Sequence, residues 1–350
     1  MMVWLRRIGF FFALSFLVLT VINASWLADR PRGYVRQIAH HGTAQQFDHQ
    51  NLAARGCSAA HIETPVHDYL ANTIDGLMAA VRLGAPMIEV DVSSTSDGQL
   101  VLFGDDTLDC ATNGKGIVNS HTLAELKALD LGYGYTADGG KSFPFRGKGL
   151  GLMPTVAQAL RVLPTSAILF NVKSSDPQVA DRLAALIKAA GRNVDTYGDG
   201  FTGPAPLIAR LHAAFPKAWA FSPESVSQCT SDYLKYGWFT VVPESCKGGT
   251  LRIPLNYQWA FAGWPDRTQQ RMKDAGARII ITGPYHFGKA AVGLDLPEQI
   301  PKVPAAFTGY LWVEDIYTVG PALHPGFNKR RPPEEEALIK ALAARRKARE

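Results

Sequence analysis

Short, nearly all-apolar runs alternate with longer amphipathic stretches along most of the chain. Eight of these runs read as strands: "YVRQIAH", "PMIEVDV", "LVLFGD", "AILFNVK", "AWAFS", "FTVVP", "RIIITGP" and "GYLWVED". Runs without polar alternation mark strands covered on both faces, and hence a parallel sheet. Between them, Thr73 to Leu83, Pro177 to Ala190, Pro204 to Phe215 and Thr268 to Ala275 show helical periodicity over the lengths that crossovers need. Count and alternation predict an α/β fold, a TIM (β/α)8 barrel over residues 31–320, with an inserted region rich in Gly, Lys and Tyr from about Thr112 to Gly151.

Ahead of the first strand, Arg6 and Arg7 precede an uncharged run from Ile8 to Leu27, about the twenty residues a bilayer-crossing helix requires. The positive flank predicts that the segment 1–30 anchors the chain in the inner or plasma membrane and places the remainder on the extracytoplasmic or periplasmic side. A cleaved signal peptide is the alternative, although Ile22-Asn23-Ala24 is a poor small-x-small cleavage site. The end of the chain, 321–350, holds two prolines followed by a helix with acids early and bases late, as the helix dipole favours, and is expected to be a solvated appendage.

Composition narrows the classes further. A chain of 350 residues that is 47% hydrophobic is an ordinary globular one, and its net charge of +5 is spread out with no basic block, so nucleic acid is not an expected partner. Four cysteines in an exported chain predict bridges. Of the three connectivities, Cys57 with Cys110 and Cys229 with Cys246 is preferred over the others, with buried free thiols as the alternative. The absence of a CxxC spacing argues against zinc.

In a barrel of this kind chemistry sits where strands end, and the residues there are His40-His41, Glu89 with Asp91, Gly104-Asp105, Asn171 with Lys173, Ser222, and Trp312 with Glu314. Glu89 and Asp91 are two apart on a strand, so both point into the barrel, where neighbouring carboxylates repel unless a cation lies between them. Oxygen ligands of this type select Mg²⁺ or Ca²⁺. Asn171 and Lys173 repeat the spacing with a neutral carbonyl and an ammonium, a set that suits a phosphate ester. Trp259, Phe261 and Trp264 are expected to pack beneath a loop, with a lipid-facing lip as the alternative, and His67, His121, His212 and His286 are expected to be structural or exposed.

The segments "IAHHGT", "LANTIDGLMAAVRLGAPMIEVDVSSTSDGQLVLFGDDTLDCATNGKG", "LMPTVAQAL" and "LFNVKSSD" resemble, in order and spacing, the glycerophosphodiester phosphodiesterase family from about Val35 to Asp176. That family's motifs read His-Arg-Gly, Glu-Asn-Thr, Glu-x-Asp, His-Asp, Pro-Thr-Leu and Glu-x-Lys, and its fold is a TIM barrel. The resemblance implies that His40 is a catalytic histidine, that Glu89 and Asp91 are metal ligands, and that Lys173 contacts phosphate. The third metal ligand falls on Asn171 in place of a glutamate. The second catalytic histidine falls on Gly104, while His41 stands for the arginine and Ala71 for the glutamate of the first two motifs. His41 and Trp312 are expected beside Lys173 as substrate-binding residues.

The implied activity is metal-dependent hydrolysis of glycerophosphodiesters or lysophospholipid head groups, weakened by Gly104, with Ca or Mg as cofactor, a small phosphodiester or lipid head group as partner, and the membrane as a second partner through the N-terminal segment. The alternative is a catalytically inactive relative that binds phosphoester head groups or a protein partner. Membranes washed with carbonate should retain the full-length chain; recovery of a soluble chain beginning near Ser25 would show instead that the apolar segment is a cleaved signal.

Overall fold

The apolar runs pair in parallel around a common core in a computed structural model that describes residues 2–49, 52, 56–289 and 291–348. The strands are β1 (Arg36–Ala39), β2 (Met87–Ser94), β3 (Leu100–Leu102), β4 (Ala167–Val172), β5 (Gly200–Thr202), β6 (Trp219–Phe221), β7 (Thr250–Pro254), β8 (Arg278–Thr282) and β9 (Tyr310–Val313). Eight of them follow one another in the order β6-β5-β4-β2-β1-β9-β8-β7, all parallel. Among the described residues β6 and β7 share no backbone pairing, and across that seam Trp219 Nε1 donates to Thr250 Oγ1 at 2.8 Å. The fold is a nearly closed TIM barrel.

The two-residue period of each strand sorts its side chains. Ile88, Val90 and Val92 of β2 and Ile168, Phe170 and Val172 of β4 join the large core shared with the surrounding helices. Their alternates, together with Ile38, Trp219, Ile280 and Tyr310, fill the barrel interior. The helices lie where periodicity places them, and their starts are capped by side chains: Thr73 accepts from Gly76 N ahead of Ile74–Arg82, and Asp176 accepts from Gln178 N ahead of Pro177–Ala189. The inserted region packs Val118, Leu126 and Phe145 into a second, smaller core shared with Leu108 and with Val101 of β3.

Eight staves are present, but two of the runs read as staves are not. "LVLFGD" supplies β3, which pairs antiparallel with β2 (Val92 with Leu102) as a hairpin arm, because the Ser96-Asp97-Gly98 turn leaves no room for a crossover. "FTVVP" forms no strand: Gly237–Phe239 is a 3-10 turn and Thr240 takes a left-handed conformation (φ 64°). Their places are taken by β5 and β7. The first is only three residues long and the second is broken by Arg252 and Pro254, so neither shows a sustained apolar run.

The C-terminal helix, Pro332–Ala348, is not a solvated appendage. Leu338 and Leu342 are buried against Leu296 and Tyr317, and Arg345 lies 2.7 Å from Glu63 and 2.9 Å from Asp315. Three well-spaced inward residues are enough to dock a helix whose overall pattern is charged. At the other end, Met2–Ile22 is a helix whose Trp4–Ile22 portion is long and apolar enough to cross a membrane, and none of the residues in that portion is buried.

Both preferred bridges are present, Cys57–Cys110 with Cα atoms 5.2 Å apart and Cys229–Cys246 at 4.7 Å. The second joins residues 17 apart in sequence and links the helix Pro223–Tyr236 to the turn Glu244–Cys246. Cys229→Ser should lower unfolding free energy by about 3 kcal/mol in denaturant titrations, the worth of closing a loop of that size; an unchanged midpoint would show that the bridge constrains nothing.

Candidate functional site

Glu89 and Asp91 project from β2 into the barrel and are fully buried. At the end of β1 the chain turns sharply through His40 and His41, with His41 (φ 57°) and Gly42 (φ 76°) both left-handed. The turn folds the two imidazoles over the carboxylates, their ring centroids 3.6 Å apart. A second left-handed non-glycine residue, Asn72 (φ 57°), donates its Nδ2 to Asp91 Oδ2 at 3.0 Å and accepts from Asp91 N at 3.0 Å. Left-handed non-glycine residues cost about 1–3 kcal/mol and persist only where the surroundings hold them.

The carboxylates are neutralised unequally. Asp91 receives His41 Nε2 at 2.8 Å on Oδ2, and on Oδ1 it accepts Asn171 Nδ2 at 2.8 Å with Lys173 Nζ 3.8 Å away. Burial disfavours its charge, but His41 outweighs burial and holds the carboxyl well below the usual range. Glu89 Oε2 accepts from His41 N at 3.1 Å and lies 3.5 Å from His41 Nε2. Its Oε1 is buried with no hydrogen-bond partner. Burial, with the charge of Asp91 beside it, pushes the Glu89 carboxyl up. For His41 burial opposes the charge, yet Asp91 and Glu89 prevail and raise it to about 10. An imidazolium thus sits between the two acids.

His40 belongs to a second pair. Its Nδ1 is 2.9 Å from Glu314 Oε1, and because a carboxylate only accepts, Nδ1 carries a proton; in the neutral ring Nε2 is then the acceptor, and it lies 4.0 Å from Glu89 Oε2. Burial works against the charge of Glu314, but His40 and the neighbouring His49 hold it below the ordinary range; its Oε2 accepts from Gly293 N at 3.2 Å. The Trp312 ring lies 5.2 Å from that of His40.

A divalent ion fits this donor set. His40, His41 and Glu89 bring ligand-capable atoms within 4.8 Å of one another, His41 being able to ligate only once an ion displaces a proton from its imidazolium, and Glu89 Oε1 is buried with no hydrogen-bond partner. Asn171 turns its amide nitrogen, rather than its carbonyl, toward Asp91. Beside Lys173, a cavity of about 490 Å³ is lined by Ser93, Asp105, Asp106, Ser174 and Arg182. Burial pushes Asp105 up.

The structure therefore brings His40, His41, Glu89, Asp91, Asn171, Lys173 and Trp312 to one rim. Gly104 is there too, but closed: a Cβ on it would stand 2.2 Å from Asp91 Oδ2, so any side chain must displace that carboxylate from its donors. Glu314, Asn72 and His49 have partners in the site that sequence reasoning did not assign. Glu314 carries a legible signal, standing two residues after Trp312 as Asp91 stands after Glu89; His49, in a loop, carries none. In the 258–264 loop Phe261 is buried, Trp264 half-buried and Trp259 exposed. His67 is half-buried, hydrogen-bonded to Gln45 at 3.1 Å, and desolvation pulls it down to about 4.

Two measurements test this electrostatic arrangement. His41 has a folded-state pKa of about 10 against 6.5 unfolded, so its contribution is complete below about pH 6.5, declines as pH rises, and is gone above about 10. Urea titrations in detergent at pH 6, 8 and 10 should show that loss in the unmodified chain and a much flatter profile in His41→Gln; matching profiles would contradict the pairing. Gly104→Ala should destabilise the fold by about 1–3 kcal/mol, as overpacking does, and a neutral result would show that Asp91 moves freely.

Residues 55–205 match the model of the glycerophosphoryl diester phosphodiesterase family. A glycerophosphodiester phosphodiesterase from Caldanaerobacter subterraneus is 35% identical over 122 residues, which cover 33% of this chain and 46% of that protein, so the chain spans just under half the length of this relative. Among solved structures, a glycerophosphodiester phosphodiesterase from Agrobacterium tumefaciens superimposes with a TM-score of 0.53 at 19% identity, covering 82% of this chain and 99% of the other. A phosphodiesterase from Oleispira antarctica in complex with the product sn-glycerol-3-phosphate gives a TM-score of 0.52 at 16% identity, covering 83% and 97%. At these identities the superpositions show a shared barrel, and the family match rests on the aligned segment. The chain is related to the glycerophosphoryl diester phosphodiesterases, through residues 55–205 in sequence and through the whole barrel in fold.

Proposed function

We propose that the chain hydrolyses a P–O bond of glycerophosphodiesters with the help of a divalent cation, in an extracytoplasmic compartment to which the apolar helix Met2–Ile22 delivers or anchors it. The observation that carries this reading is the orphaned, buried Glu89 Oε1 beside His40 and His41 at the barrel mouth. Glu89, Asp91 and Asn171 are the residues proposed to hold the cation. When bound, a Ca²⁺ or Mg²⁺ ion supplies charge to a phosphoryl oxygen.

The remaining work falls to side chains. Lys173 is two-fifths exposed and presents its ammonium at the rim, where it draws in and orients the phosphate. The Nε2 of the neutral His40 ring accepts a proton from the attacking water as its oxygen bonds to phosphorus, and Glu314 holds the ring in the tautomer that allows this. The P–O bond to the leaving alcohol breaks with the electron pair on that oxygen, which must collect a proton. With Gly104 in place of a histidine, Asp105 is the acid available beside the cavity, and burial favours its protonated form. The second disulfide is a further support for an oxidising compartment.

A second reading has an observation of its own. Asp91 already takes donors from His41, Asn72 and Asn171, with Lys173 alongside, and a fully satisfied carboxylate has little need of an ion. On that reading the mouth binds phosphoester head groups without turnover.

Hydrolysis of glycerophosphocholine, with Ca²⁺ or Mg²⁺ and after chelation, separates the two. Turnover should depend on the ion and fall by about 10²–10⁴ in His40→Ala, the range for a lost acid–base group. Calorimetric binding of glycerol phosphate without turnover would instead establish the binding protein, and activity indifferent to His40→Ala would remove that residue from the mechanism.

A further inference from the structure

The strand that ends in His40 begins in Arg36, about 13 Å away at the opposite end of the barrel. There the start of β1, the start of β8 and the start of β9 line a cavity of about 890 Å³, together with the segment that follows the apolar helix. Its basic side chains are Arg30, Arg32, Arg36, Lys273 and Arg278; its acids are Asp29 and Asp274. Arg36 and Arg278 flank one aromatic ring, their guanidinium carbons 4.3 Å and 5.9 Å from the centroid of Tyr310, and Arg278 also lies 4.9 Å from the Trp219 ring. Both are half-buried, and among the described residues neither forms an ion pair with a carboxylate. Two like charges drawn together out of full solvation and left unneutralised are unfavourable unless an anion completes them. Planar guanidinium forks suit phosphate oxygens best.

The place of this cavity indicates where the phosphate comes from. Asp29 follows Ile22, the last residue of the apolar helix, by only seven positions, and the residues between are fastened to the barrel: Asn23 Nδ2 donates to Trp238 O at 2.8 Å, Asp266 N donates to Ser25 Oγ at 2.8 Å, and Ala24 is buried. The cavity is therefore held close to the end of a helix of membrane-crossing length. Around the same end Trp26, Trp238 and Phe239 stand exposed, at 78%, 42% and 62%. Exposed aromatics beside clustered arginines are the make-up of a surface that sits at lipid head groups.

We propose that the foot of the barrel is an anion-binding site for a phosphate group, and that its occupant is the head group of an anionic lipid next to the N-terminal helix. The site is separate from the catalytic mouth, uses none of its residues, and seats the barrel foot-down on the bilayer surface.

The full chain in nonionic detergent is titrated with dihexanoylphosphatidylglycerol, dihexanoylphosphatidylcholine and inorganic phosphate, and binding is followed by thermal shift. The phosphatidylglycerol should bind at least tenfold more tightly than the phosphatidylcholine, and the Arg36→Gln/Arg278→Gln double variant should abolish that preference. Lys173→Met, altered only at the mouth, should leave it intact. Arg32→Gln, at an exposed position that packing does not depend on, should weaken binding about fivefold, the worth of one arginine near an anionic surface, and it keeps the test valid if the double variant fails to fold. Inorganic phosphate binding as tightly as phosphatidylglycerol, and lost in the same variants, would uphold the anion site and overturn the lipid as its occupant. Equal binding of the two lipids, or no loss in either arginine variant, would overturn the proposal.

Discussion

Two carboxylates buried side by side on β2 are the constraint to which the mouth of this barrel is built. An unpaired buried charge costs several kcal/mol, so Glu89 and Asp91 can exist only if other elements bring donors to them. The donors come from the turn after β1, from the Asn72 turn and from the end of β4. Two of these contributors adopt left-handed backbones that their side chains would otherwise avoid. The strain is smaller than the penalty it removes, which explains why His41 and Asn72 hold such conformations at the same spot.

The neutralisation of the two acids is lopsided. Asp91 is saturated, whereas Glu89 keeps one oxygen without a partner in a buried setting. The His41 imidazolium supplies the positive charge that two neighbouring acids demand, so the folded chain tolerates the pair and still leaves one Glu89 oxygen without a partner. Gly104 fits the same picture. The space its side chain would take is filled by the Asp91 carboxylate. His40 stands apart from this network because Glu314, arriving from the end of β9, fixes its tautomer independently. The orientation of the His40 imidazole is thereby fixed even though the carboxylate cluster beside it differs from the family pattern.

Much of this was legible along the chain. Nearly continuous apolar runs separated by amphipathic segments required a parallel barrel, because only strands covered on both faces have that composition. The two-residue spacing of Glu89 and Asp91, and of Asn171 and Lys173, set all four toward one face, with Lys173 at its rim, since strand side chains alternate. The even cysteine count behind an apolar N-terminal segment anticipated both bridges. Where reading failed, the signal was short or ambiguous. A three-residue strand such as β5 has too few positions to show a pattern, and β3 has the apolar content of a barrel strand while its tight turn commits it to a hairpin. The C-terminal helix looked solvated because three inward residues among many charges leave almost no periodic trace.

By itself, then, the sequence determined the periodic features: strand and helix type, the facing of the acids, and the identity of the groups available for chemistry. Only the tertiary structure decided which of those groups meet. Glu314 is 274 positions from His40, His41 is 48 or more from the acids it bridges, and Arg36 and Arg278 come together from strands at opposite ends of the chain. Pairings of that kind depend on the order in which strands close into a barrel and on the direction of each turn, and local propensity carries no record of either. The charge state of His41 belongs to the same class, since it exists only once burial and two carboxylates act on one ring together.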